Sequence, residues 1–131
     1  MGDLPQMNTD KHGLDSVCES ILGAAFRVSN ALGSGFLEKV YENALVHELR
    51  KSGLQVTQQY PVEVLYDGIV VGQYIADLLV AGSVIVELKC VKGIEDIHLA
   101  QCLNYLRATG LRRGLILNFN FPKVGVKRVS L

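Results

Sequence analysis

Asp77, Glu87 and Lys89 are the residues whose types and spacing could do chemistry. They interrupt the run Ile75-Ala-Asp-Leu-Leu-Val-Ala-Gly-Ser-Val-Ile-Val-Glu-Leu-Lys-Cys90, which is otherwise apolar or small. Burying a charge in such a run is costly unless it is paired or binds a metal. An Asp on one strand and Glu-x-Lys on the next is what metal-dependent phosphodiester hydrolysis needs. The carboxylates hold a hard cation and the ammonium stands beside it. A second reading is as good from these residues alone. A half-buried strand alternates apolar and polar, and Ile85, Glu87, Lys89 and Val91 could be a solvated face.

A strand pair must position these groups. The run reads as strands Ile69–Val80 and Ser83–Val91, joined by a turn at Ala81-Gly82-Ser83. Asp77 and Glu87 meet only if that loop has an odd length or the pair carries a bulge. A two-residue loop would put them on opposite faces, because a one-residue slip reverses the pattern. Before them, Gln55–Tyr66 is a strand weakened or broken by Pro61, and Asp67-Gly68 is a hairpin turn.

Helices flank the strands. Val17, Ile21, Ala24, Ala25, Val28 and Leu32 recur at helical spacing over residues 14–32. Gly33-Ser34-Gly35 ends that helix. A second runs from Phe36 to Lys51, with Gly53 as its stop. Glu38 lies in its first turn, where an acid favours the helix dipole and can cap free amides; a ligand role is the alternative. A third helix spans Glu95–Thr109. His98, Gln101 and Tyr105 share one side of it, and Leu99, Cys102, Leu103 and Leu106 cover much of the other. Amide, imidazole and phenol in place of Lys and Glu suggest a binding surface. Arg113–Asn120 is a short buried strand, and Lys127–Leu131 an edge strand. The order is ααβββαβ, a mixed α+β arrangement with a central sheet flanked by helices.

Composition sets the bounds. A chain of 131 residues, 49% apolar, makes one domain. The expected division is a flexible start over residues 1–12 and a single domain over 13–131. No apolar run is long enough for a membrane span and no signal peptide opens the chain. Cys18, Cys90 and Cys102 are odd in number and lack CxxC spacing, so reduced thiols in a cytoplasmic protein are expected, and no zinc site. Net charge is zero, yet all 13 acids fall within residues 1–96. The rest carries Arg107, Arg112, Arg113, Lys123, Lys127 and Arg128 and no acid. That stretch could follow a phosphate backbone or be ordinary solubilising charge.

Several of these residues fall into a known pattern. Gly35-Phe-Leu-Glu38-Lys-Val-Tyr41 reads GxxExxY. With Tyr74-x-x-Asp77, Glu87-Leu-Lys89, His98-x-x-Gln101-x-x-x-Tyr105 and Gly114-Leu-Ile-Leu-Asn-Phe-Asn120, the chain resembles the GxxExxY proteins of the PD-(D/E)XK nuclease superfamily. The resemblance spans about residues 14–129. It implies a restriction-endonuclease-like core, and it departs from the motif only where Ala76 replaces the Pro before Asp77. By resemblance, Asp77 and Glu87 are the metal-binding acids, Lys89 the motif lysine and Glu38 an additional acid. Gln101 and Tyr105 match the QxxxY element found near the site in some branches.

The expected function is Mg²⁺-dependent (or Mn²⁺-dependent) hydrolysis of DNA phosphodiester bonds. Asp77, Glu87 and the Leu88 carbonyl hold the ion, with Glu38 as a further ligand. Lys89 orients water or offsets charge, Gln101 and Tyr105 position the phosphate or water, and His98, Arg107, Arg112 and Arg113 contact the substrate. A nucleic-acid partner is expected, no membrane, and a homodimer is compatible with the small neutral chain. The rival class is a non-catalytic nucleic-acid-binding or protein-interaction module that keeps the nuclease fold.

Overall fold

The structure, a computed structural model, describes residues 11–131. The expected flexible segment lies outside the described residues, except its last two positions, which open a helix.

Two helices come first, α1 (Lys11–Leu32) and α2 (Glu38–Lys51). Then follow β1 (Val56–Tyr66), β2 (Ile69–Val80), β3 (Val84–Lys89), α3 (Asp96–Thr109), β4 (Arg113–Asn118) and β5 (Gly125–Ser130). The expected order therefore holds, with the edge strand β5 added. The five strands lie in the order β1-β2-β3-β4-β5. The β3–β4 pair, joined through α3, is parallel and the other pairs are antiparallel.

Helices cover both faces of the sheet. On one face, Ile21, Ala25 and Val28 of α1 and Leu45 and Leu49 of α2 pack on Val84, Val86, Leu88, Leu115 and Leu117. On the other, Cys102, Tyr105 and Leu106 of α3 pack on Ile85 and Ile116. Alternate residues of β3 thus enter opposite clusters, and the strand has no solvated face. The α3 contact is close: a Cβ on Gly114 would stand 2.7 Å from the Cys102 sulfur, so only glycine fits there.

β1 passes through Pro61 without a break. It is an edge strand, where a residue lacking an amide hydrogen is tolerated. The register shifts between Val64 and Leu65, and a second irregularity lies two residues before Pro61. The β1–β2 ladder runs through Gln58–Leu78 and Tyr60–Ala76 but skips Gln59 and Asp77. Gln59 takes a left-handed φ of 59°, unusual for a non-glycine residue. Leu78 and Val80 enter the α1–α2 cluster, whereas Ala76 enters the α3 cluster. The side-chain alternation of β2 is therefore reversed at Asp77, and the outer part of the hairpin lies beside α3.

Candidate active site

The turn between β2 and β3 meets the register requirement. Its three residues, Ala81–Ser83, include left-handed Ala81 and Gly82. The pairs are Val80–Val84, Leu79–Ile85 and Leu78–Val86. One step further, Asp77 stands opposite Glu87, and there the backbone ladder stops. Two side chains take over its hydrogen bonds. The Asp77 amide donates to Glu87 Oε2 at 2.7 Å, and the Leu88 amide donates to Asp77 Oδ2 at 2.8 Å. The strands fork, and the two carboxylates fill the fork.

This arrangement rules out the solvated-face reading for Glu87, which is 5% exposed. Burial, then the nearby Asp77 charge, raises its pKa to about 8, against the opposing bond from the Asp77 amide. Burial raises Asp77 as well, opposed by the Leu88 amide and reinforced by Glu42. Burial and mutual repulsion thus both favour keeping a proton on the pair, and Glu87 is the more deeply buried of the two. Lys89 lies near enough for its charge to favour ionisation of both acids. It makes no ion pair or hydrogen bond among the described residues. Asp77 Oδ1 and Glu87 Oε1 likewise have no hydrogen-bond partner there.

Glu38 does not cap its own helix. Leu37 is the N-cap and provides no side-chain bond. Glu38 Oε2 instead accepts from the Cys90 amide at 3.1 Å, reaching 52 residues along the chain to the residue after Lys89. Its charge helps raise Asp77, so it lies within electrostatic reach of the fork. Among the described residues, no three acidic, histidine or cysteine side chains form a metal cage.

Tyr41 explains how Glu38 is placed. The ring is fully buried and stacks on Phe119, with centroids 4.8 Å apart at 14°. Its hydroxyl donates to the Gly33 carbonyl at 2.6 Å and accepts from the Phe36 amide at 3.2 Å. The loop that delivers Glu38 is thereby fixed at both ends. On the other side of Lys89, Asn118 clamps the chain. Its Oδ1 accepts from the Val91 amide at 3.1 Å and its Nδ2 donates to the Val91 carbonyl at 2.8 Å.

Glu42 is a residue the sequence reading missed. It is buried, and its Oε2 accepts from Lys39 at 3.0 Å, Gln58 at 2.6 Å and Gln59 at 3.0 Å. Its charge raises both Asp77 and Glu87. One signal was available: Glu42 lies one helical turn beyond Glu38 and shares its side of α2.

The stripe on α3 divides. Tyr105 is buried beside the fork, and the Glu87 and Asp77 charges add to burial in raising its pKa. Gln101 and Tyr105 line a cleft between α3 and the β1–β2 hairpin, together with Arg107. His98 is engaged differently: its Nδ1 accepts from the Glu95 amide at 2.9 Å and closes the first turn of the helix.

Arg112 and Arg113, expected as substrate contacts, are not brought to the site. β4 pairs Arg113 with Val84 and Asn118 with Lys89, so both arginines lie at the opposite end of the sheet. Arg113 also donates to Asp15 of α1 at 2.9 Å. Five residues of strand separate Arg113 from the level of Lys89, about 16 Å.

A family model for the PD-(D/E)XK nuclease superfamily matches residues 15–129. The chain belongs to that superfamily. Its nucleases typically use divalent metal ions. Among solved structures, the crystal structure of SSO0001 aligns with a TM-score of 0.56 and 18% identity, over 70% of this chain and 48% of that one. This chain thus spans about half the length of that relative, and the likeness supports the restriction-endonuclease-like fold. The alkaline exonuclease LHK-Exo from Laribacter hongkongensis aligns with a TM-score of 0.49 and 13% identity, over 88% of this chain and 81% of that one. Its complex with dAMP gives 0.48, 13%, 88% and 82%. No curated protein matches the chain. No helix among the described residues is long and apolar enough to cross a membrane.

Proposed function

We propose that this PD-(D/E)XK protein, of the GxxExxY type, is a nuclease that hydrolyses DNA phosphodiester bonds with a divalent cation, Mg²⁺ or Mn²⁺. The observation that carries the reading is the fork itself. Two adjacent carboxylates are each fixed through one oxygen by a backbone amide, and a lysine with no ion pair among the described residues stands beside them.

The donor set fits such an ion. Mg²⁺ retains several waters and needs only one or two protein carboxylates plus phosphate. Asp77 Oδ1 and Glu87 Oε1 are the uncommitted oxygens, the Leu88 carbonyl is the proposed third ligand, and Glu38 supports the site from α2. When bound, the ion supplies an activated water and charge relief on the phosphate. Burial makes the chain's own acids poor anions without that charge.

The remaining groups act through position and charge. Lys89 offsets negative charge as it develops on the phosphate oxygens or orients the attacking water. Gln101 and Tyr105 approach from α3 and hold the phosphate or water in line. Glu42 fixes Gln58 and Gln59, and Gln59 is the residue across from Asp77 in β1. The test is incubation with end-labelled DNA and RNA strands, with Mg²⁺, with Mn²⁺ and with chelator. Cation-dependent cleavage of DNA supports the reading. Cleavage of RNA alone would overturn the substrate assignment, and binding without cleavage under any cation would overturn the activity.

A further inference from the structure

The cleft beside the fork is not explained by hydrolysis alone. It has a volume of about 790 Å³, within the range that takes one small organic group. One wall is the outer β1–β2 hairpin, with Leu65 and Tyr74. The other is one stripe of α3, with Ile97, Gln101, Asn104 and Tyr105. Leu65 is 59% exposed, Tyr74 51% and Ile97 68%. Large apolar side chains scattered singly on a surface need no explanation, but these three converge on one concavity.

We propose that this cleft receives an unpaired nucleobase of the DNA strand whose phosphodiester lies at Asp77 and Glu87, so that the substrate is single-stranded or frayed DNA. The inference rests on the nuclease reading and specifies its substrate. Three observations support it. The first is continuity: Tyr105 lines the cleft and also lies within electrostatic reach of both carboxylates. Tyr74 stands three residues before Asp77 on β2, on the part of the hairpin that lies beside α3. The second is chemistry. The Tyr74 ring, half exposed, leans on the buried Tyr105 ring, with centroids 6.0 Å apart at 47°, so one aromatic surface is open to the cleft. Bases of any identity stack on such a surface. The Gln101 and Asn104 amides offer donors and acceptors to a base edge. The third is charge. Arg107 borders the same cleft and is exposed; among the described residues its side chain bonds only to Asn104, at 3.2 Å, leaving a cation for the neighbouring phosphate.

A base in a continuous duplex is stacked and paired, and it reaches such a cleft only after flipping or fraying, at a cost of a few kcal/mol. The cleft therefore discriminates by strandedness. Stacking on an aromatic ring accepts any base, so broad sequence tolerance follows.

The experiment measures binding in chelator, where no cleavage occurs. Fluorescent single-stranded DNA, the same sequence as a blunt duplex and the matching RNA strand are compared. A single-stranded DNA carrying 2-aminopurine reports stacking through loss of its fluorescence. The single DNA strand is expected to bind at least about tenfold tighter than the duplex. Tyr74→Ala should weaken that binding by roughly 5- to 150-fold, the range that base–aromatic stacking gives, restore 2-aminopurine emission and leave duplex binding unchanged. Tyr74→Phe should bind as wild type. Ile97→Ser, at an exposed position, repeats the test if Tyr74→Ala fails to fold. Equal affinity for single strand and duplex, or single-strand binding unaffected by both substitutions, would overturn the inference. Preferential binding of RNA would overturn its choice of DNA. Cleavage assays with Mg²⁺ and Mn²⁺ on the same strands test the nuclease reading separately. Cleavage with no cleft dependence sinks the cleft alone, and Tyr74-dependent binding with no cleavage sinks the activity alone.

Discussion

Glu87 Oε2 accepts the backbone amide of Asp77, the residue facing it across the strand pair, at 2.7 Å. Asp77 in turn accepts the amide that follows Glu87, at 2.8 Å. Each acid thus replaces a hydrogen bond that the sheet would otherwise make. The exchange keeps the strand amides satisfied where the ladder ends. It also holds two carboxylates at a fixed separation in a buried place, an arrangement that favours a cation.

A pH dependence follows. Glu87 is raised from an ordinary 4.5 to about 8 in the folded chain. Between those values the folded protein holds a proton that the unfolded chain has lost. The Glu87 contribution to metal-free stability is therefore full below pH ~4.5, falls as pH rises and is lost above pH ~8. Glu87→Gln removes this slope and leaves that from Asp77 and, near pH 9, those from Cys18, Cys90 and Cys102, which burial also raises. At pH 9 without metal the variant should be more stable than wild type, on the order of 1 kcal/mol or more. Urea titrations at pH 5, 7 and 9 measure it. A wild-type stability that rises between pH 5 and 9, unchanged in the variant, would contradict the buried proton.

Tyr41→Phe keeps the stack on Phe119 and removes the hydroxyl. The Gly33 carbonyl and Phe36 amide then lose their partner, which costs about 1–3 kcal/mol where they are cut off from water. Because the loop delivers Glu38, metal-supported cleavage should weaken more than stability alone explains. Equilibrium unfolding and the cation dependence of cleavage, measured together, separate the two effects. Unchanged values in both would remove the tyrosine from any positioning role.

Two sets of arginines should behave differently. Arg107→Ala should reduce the slope of DNA affinity against salt by about one, the signature of one lost phosphate contact. Arg113→Ala should leave that slope unchanged and reduce stability by about 0–1 kcal/mol, through the exposed pair with Asp15. A salt slope that responds to Arg113 and not to Arg107 would move the DNA path to the other end of the sheet.

The elements were readable because periodicity and turn chemistry agreed: Asp67-Gly68 marked the hairpin, and β2 has the expected limits, Ile69–Val80. The fork was readable only as a condition on loop length, which Ala81–Ser83 satisfied. Three features were not readable. Gln59 adopts a left-handed backbone that no propensity favours, and tertiary context reverses β2 beside it. Glu42 is buried by contacts with β1 residues 16 and 17 positions away, and local sequence does not reveal such pairings. Arg112 and Arg113 looked like part of one basic stretch, but β4 runs parallel to β3 and carries them away from Lys89. Charge along a sequence does not show which end of a strand it occupies.

The most direct measurement is the single-turnover rate of DNA cleavage by wild type and by Lys89→Ala, each with saturating Mg²⁺ or Mn²⁺ and each shown to be folded by circular dichroism. Lys89 makes no ion pair among the described residues, so its removal should cost little stability. The wild type should cleave only with the cation, and Lys89→Ala should lose at least about a hundredfold in rate, as when one charge-stabilising donor is removed from an active site. A wild type that cleaves equally well in chelator, or a Lys89→Ala variant that cleaves at the wild-type rate, would contradict a metal-dependent nuclease centred on the Asp77–Glu87 fork.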